Sequence, residues 1–172
     1  MPDPILMAFL RKSHEAAIAL VAASDRVVLM PEPGELPQRY IAEFHCRGLV
    51  RQTSGHIVEA NLFRIGIAFH DDYLKTKPNS ARLLTWLAPS GIFHPNVKFP
   101  LVCAGNLRMG MDLVSILFQL HEMITYQKYA TADPLDPAAA EFARANITRF
   151  PIDSRPLRRR PVKIEEIQGG KS

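Results

Sequence analysis

Two alternating runs, Tyr40–Arg47 and Asn61–His70, have no helical pattern between them, and this limits the possible folds more than any other feature. Tyr40, Ala42, Phe44 and Cys46 fall on one face of the first run. Phe63, Ile65, Ile67 and Phe69 fall on one face of the second. Parallel neighbours need a long crossover, usually a helix. Here the intervening polar stretch Arg51–His56 reads as a hairpin loop, so the strands should run antiparallel.

The flanking segments complete the pattern. Asp3 can cap a helix with Pro4 at its first turn, and apolar residues recur at helical spacing from Leu6 to Val21. Val27–Met30 is a short strand ended by Pro31-Glu32-Pro33-Gly34, and Ala81–Trp86 is the expected fourth strand. Residues 91–110 read as a long, turn-rich loop, a feature that is often functional. Helical patterns follow over residues 112–127 and 137–145. The expectation is an α+β fold with an N-terminal helix, a four-stranded antiparallel meander, a long loop and C-terminal helices.

The charge sits at one end. Of the net +4, all is accounted for by residues 155–172, which hold six basic and two acidic residues; the remainder is balanced at 15 of each. A body without net charge argues against nucleic-acid binding. We therefore expect a folded domain over residues 1–150 and a basic Pro/Arg-rich tail over 151–172 with little fixed structure. No run of about 18 apolar residues predicts a membrane span. The N-terminus lacks the charge and apolar stretch of a secretory signal. With two cysteines, Cys46 and Cys103, a disulfide framework is not expected and a reducing cytoplasm fits. The histidines and cysteines have no metal-ligand spacing, so no metal is expected. Gly105–Gly110 lacks the Lys-Ser/Thr of a phosphate loop, and Thr125 occupies the second histidine position that a zinc-protease helix would need after His121-Glu122.

The long loop holds His94-Pro95-Asn96 and then Cys103, before a helix and the turn Asp133-Pro134-Leu135. With Ile92-Phe93 ahead of the motif and the Tyr73…Pro78 connection before the fourth strand, this order resembles the ubiquitin-conjugating enzymes, over about Asp3 to Ala145. The resemblance implies that family's fold and a transferase that carries a ubiquitin-like modifier as a thioester on Cys103. The implied partners are a ubiquitin-activating-enzyme-like protein, the modifier and a target amine, with no cofactor, nucleic acid or membrane. Thiolate–thioester exchange is nearly isoenergetic and needs no metal. By the same resemblance, Asn96 is the amide donor to the oxyanion that forms during transfer, or else a stiffener of its loop. Asp133 orients and deprotonates the attacking amine, or else makes a cap or turn. His94 belongs to the catalytic motif and is expected to order the turn by hydrogen bonding rather than act as a base. Ala104 after the cysteine and Arg108–Asp112 ahead of the helix depart from the eukaryotic pattern and resemble bacterial relatives, some encoded in antiphage operons.

Two rivals stand beside this reading. A non-catalytic modifier-binding module of the same fold would not need Cys103. A hydrolytic thiol enzyme would need a base, for which His94 is the nearest candidate in sequence. Cys46, in phase with Phe44, is expected to be core filler.

Overall fold

The computed structural model describes residues 3–159. Its first helix, α1 (Pro4–Ala22), starts where the sequence places it: the Asp3 carboxylate accepts the Ile5 N–H at 2.9 Å. Leu6, Leu10, Ser13, Ala17 and Leu20 form its buried stripe.

Four strands, β1 (Val27–Pro31), β2 (Arg39–Phe44), β5 (Phe63–Ala68) and β6 (Leu84–Ala88), make an antiparallel sheet in the order β1-β2-β5-β6. Register places Val27 opposite Phe44, and Phe44 opposite Phe63. Tyr40, Ala42, Phe44, Phe63, Ile65 and Ile67 are all buried, as their alternation requires. The molecule is therefore α+β, with the sheet's inner face covered by helices.

Two details depart from the expected meander. Arg51–His56 does close a hairpin, but it joins an additional pair, β3 (Gly48–Arg51) and β4 (Ile57–Ala60), set outside the main sheet. At Gly48 the chain passes close against the core. A Cβ at that position would lie 2.7 Å from the Phe63 ring and 2.9 Å from the Ile124 carbonyl, so the strand passes too close for any larger residue. The fourth strand also begins later than expected. Asn79 accepts the Ala81 N–H at 2.9 Å and caps a single helical turn, α2 (Ser80–Leu83), leaving Leu84 as the first residue of β6.

The long loop is more ordered than its turn residues imply. It contains a two-residue hairpin, β7 (Val97–Lys98) and β8 (Leu101–Val102). Its Pro100 carbonyl accepts the Trp86 N–H at 2.9 Å, which fixes it to β6. Helix α3 (Leu113–Ile124) follows, capped by Asp112 at 2.7 Å from the Ser115 N–H. The Ser13 hydroxyl accepts the otherwise orphaned Leu113 N–H at 2.7 Å and ties α1 to the start of α3. Helix α4 (Pro137–Ala145) is capped by Asp136.

The folded body runs past the expected boundary at residue 150. Ile152 and Leu157 are buried, and Leu157 joins the main core. The Asp153 side chain is wholly buried. It accepts the Arg47 N–H at 3.0 Å and both ends of the Arg155 guanidinium fork, at 2.8 and 2.7 Å. Those contacts, led by Arg155, hold its carboxyl well below the usual carboxylate range. The proline and arginine content hides these three anchors, and composition alone misplaces the boundary. The rest of the expected tail, residues 160–172, lies outside the described residues. Among the described residues no helix is long and apolar enough to cross a membrane.

Leu157→Ala should destabilise the fold by about 2–4 kcal/mol through the cavity it leaves. Asp153→Ala should cost about 1–3 kcal/mol by stripping the Arg47 N–H of its acceptor. Urea unfolding of both variants checks this; wild-type stability in both would place residues 151–159 outside the cooperative unit.

Candidate functional site

Cys103 directly follows β8, and three hydrogen bonds fix its backbone. Its N–H donates to the Asn96 carbonyl at 2.8 Å. On either side, the Ser80 hydroxyl donates to the Val102 carbonyl at 2.6 Å and accepts the Ala104 N–H at 2.9 Å. The cysteine is thus clamped by its neighbours while its own thiol stays exposed. Cys46 is the opposite case: it is 1% exposed, and burial pushes its thiol up to about 12. Only Cys103 combines access with a fixed backbone. No sequence motif pointed to Ser80, because its partners lie far along the chain and are recognised through their backbone atoms.

Asn96 is buried, and both ends of its carboxamide are committed to one residue. Its Nδ2 donates to the Ala130 carbonyl at 3.0 Å, and its Oδ1 accepts the Ala130 N–H at 2.9 Å. The paired contacts define which end is nitrogen, since exchanging them would set donor against donor and acceptor against acceptor. One Nδ2 hydrogen is used in this way. The second is left over on the same rigid group, which lines the cleft beside Cys103. A second link runs in parallel: the Pro95 carbonyl accepts the Leu135 N–H at 2.8 Å and the Asp136 N–H at 3.2 Å.

His94 lies beneath this arrangement. It is 1% exposed, and its Nδ1 accepts the Asn96 N–H at 3.0 Å. The ring packs 4.7 Å from that of Tyr126, whose hydroxyl donates to the Phe93 carbonyl. Burial pulls its pKa down to about 3, and the nearby Met123 backbone offsets this only in part. Its Nε2 has no partner in hydrogen-bond geometry. His94 is therefore neutral and turned away from solvent. It positions Asn96 by shaping the turn, and it is not placed as a base.

Asp133 is exposed and has φ +51°, a left-handed conformation that Asp tolerates better than most residues. It does not cap the last helix, a role taken by Asp136. It lies instead on the rim of an open cleft of about 670 Å³ whose walls include Cys103 and Asn96. Of the four residues singled out from the sequence, Cys103, Asn96 and Asp133 come together at this cleft. The fourth, His94, supports it from behind. Gln119 of α3 also reaches the cleft. An amphipathic helix pattern gives no reason to single it out.

Neither a protein-family model nor a curated protein matches this chain.

Iodoacetamide should modify Cys103 in the native protein and Cys46 only after unfolding; native labelling of Cys46 would contradict the burial described. His94 adds a pH dependence. Its folded pKa is depressed, so the unfolded chain takes up the proton first. The stability due to neutral His94 is complete above about pH 6.5 and is lost as the pH falls from there toward 3. His94→Gln should flatten that decline in a series of urea titrations, even if it lowers stability at pH 8. An unchanged slope would mean the imidazole titrates normally.

Proposed function

We propose that this chain accepts a ubiquitin-like modifier as a thioester on Cys103 and passes it to a lysine or other amine, as ubiquitin-conjugating enzymes do. The supporting observation is the grouping of an exposed, clamped cysteine, a locked carboxamide and an exposed carboxylate around one open cleft. The element order agrees with that family's fold: a leading helix, a four-stranded meander, an ordered loop bearing the cysteine, and closing helices.

In the first step, the Cys103 thiolate attacks the carbonyl carbon of a modifier held as a thioester by an activating-enzyme-like partner. A new C–S bond forms, the old one breaks, and the partner's thiolate leaves. In the second step, the target amine attacks the same carbon. The N–C bond forms, the bond to Cys103 breaks, and the amine's proton passes to Asp133. Negative charge develops on the carbonyl oxygen in between, and the spare Nδ2 hydrogen of Asn96 is the donor for it. Because Ala130 already holds the carboxamide, little reorganisation accompanies the reaction. The departures at Ala104 and Arg108–Asp112 favour a bacterial, antiphage-type conjugation system in the cytoplasm as its setting.

The base that the hydrolytic alternative would take from the motif, His94, is buried and committed to the Asn96 N–H. A non-catalytic binding module would leave the exposure of Cys103 without a purpose.

A ubiquitin-like protein bearing a C-terminal thioester provides the test. Wild type should form a thiol-sensitive adduct that Cys103→Ala abolishes and Cys103→Ser converts to a thiol-resistant ester. Asn96→Ala should charge but discharge to lysine about 10²–10³-fold more slowly, the range for loss of one oxyanion donor. Asp133→Ala should slow discharge on the order of 10²-fold. Charging of Cys103→Ala would disprove the assignment of the nucleophile. Modifier binding without charging would favour the binding module.

A further inference from the structure

The excess charge that the sequence places in a tail belongs in part to the folded body. Residues 3–159 hold 18 basic and 15 acidic residues, and the surplus comes from Arg155, Arg158 and Arg159. The segment carrying them is laid against the turn between α1 and β1. There the Ser24 hydroxyl donates to the Leu157 carbonyl, and the Arg159 N–H donates to the Ala23 carbonyl at 3.0 Å. This packing gathers Arg155 and Arg159 with Arg26, which precedes β1, and Arg47, which precedes β3.

Two open clefts, of about 470 and 520 Å³, share Arg26 and Arg155 as common walls. Arg159 and Ser154 line the first, and Arg47 and Asn61 line the second. Two of the arginines are already fixed by protein acceptors. Arg155 directs Nε and Nη2 to the buried Asp153, at 2.8 and 2.7 Å, so its Nη1 is left for another acceptor. Arg159 directs Nε toward Asp25 at 3.3 Å and Nη2 to the Ala22 carbonyl at 3.2 Å. Arg26 differs. It is half-buried, and among the described residues its guanidinium has neither a hydrogen-bond nor an ion-pair partner. A guanidinium partly withdrawn from water without an acceptor is unfavourable, and a bound anion would relieve it. Asp25 is the one carboxylate on these walls among the described residues, and Arg159 engages it.

The chemistry of the walls selects among anions. Guanidinium forks match planar carboxylates, as Arg155 does with Asp153 on this same face. Alternate residues of an extended chain point the same way and lie about 7 Å apart, which suits two adjoining clefts with shared walls. Among the described residues no phenylalanine, tyrosine or tryptophan lines either cleft, so a single-stranded nucleic acid would find no ring on which to stack its bases.

We propose that this face is a docking surface for an extended acidic segment of a partner protein, with alternate carboxylates in the two clefts and Arg26 as the residue both depend on. Neither cleft shares a residue with the one beside Cys103, so the inference does not depend on the thioester reading.

The probe is a fluorescein-labelled peptide of alternating glutamate and serine, titrated with the full chain and followed by fluorescence anisotropy. Its glutamine counterpart is the control. The glutamate peptide should bind, the glutamine peptide should not, and raising sodium chloride from about 50 to about 300 mM should weaken binding several-fold. Arg26→Gln should weaken it about tenfold, the effect of losing one hydrogen bond to a charged group, and adding Arg47→Gln should weaken it further. Arg155 is left intact, because replacing it would leave the buried Asp153 unpaired. Thermal melts matching wild type would show that both variants remain folded. Unchanged affinity in the double variant would overturn the inference, since charge elsewhere on the chain would then hold the peptide. So would the absence of saturable binding at low salt, or tighter binding of an oligothymidylate of equal charge.

Discussion

The two-point pairing between the Asn96 carboxamide and the Ala130 backbone is the constraint on which the candidate site depends. It joins two loops far apart in sequence, the one that presents Cys103 and the one that carries Asp133. Without it, the two loops would be tied only through the Pro95 carbonyl, and loops with fewer contacts open more easily. The same carboxamide is buried, so each of its bonds is made away from competing water and leaving either one unmade would be costly. His94 reinforces it from below by accepting the Asn96 N–H, and the Pro95 carbonyl accepts the Leu135 and Asp136 amides of the far loop.

Burial is divided sharply between the two sides of this pairing. Behind it lie His94, Tyr126 and Phe93, a neutral and nearly dry layer continuous with Leu49, Ala139 and Ile152. In front lies Cys103, exposed, with its flanking peptides held by the Ser80 hydroxyl. The rigid part of the site is thus assembled from backbone groups and neutral side chains, and the Cys103 thiol is left exposed. A buried charge in the supporting layer would cost several kcal/mol, and the depressed basicity of His94 avoids it.

The sheet was legible because its signals are local and repeat with a period of two: Tyr40, Ala42, Phe44, Phe63, Ile65 and Ile67 all face inward as their alternation demands. The caps at Asp3 and the start of α4 at Pro137 were legible for the same reason. What the sequence concealed depends on contacts between distant segments. Gly48 leaves room for Phe63 and Ile124, and nothing near Gly48 in sequence announces either one. Leu157 and Asp153 anchor a stretch that looks like a tail because prolines and arginines surround them. In the site itself, Cys103, Asn96 and Asp133 could be named from a motif. Ser80 and Ala130 could not, because they act through backbone contacts that only three-dimensional packing creates.

The central proposal is that an acyl group carried on Cys103 would lie in the cleft lined by residues 104–106 and 129–133, against the wall that Asn96 holds. The most direct measurement is a comparison of backbone amide chemical shifts, by NMR, of the free protein and the protein loaded on Cys103 through a stable linkage. The account predicts that the largest changes fall at Ala104, Gly105, Ala130 and Ala132, with the outer face of the β1-β2-β5-β6 sheet unaffected. Changes absent from Ala130 and Ala132, or concentrated on that outer face, would contradict it.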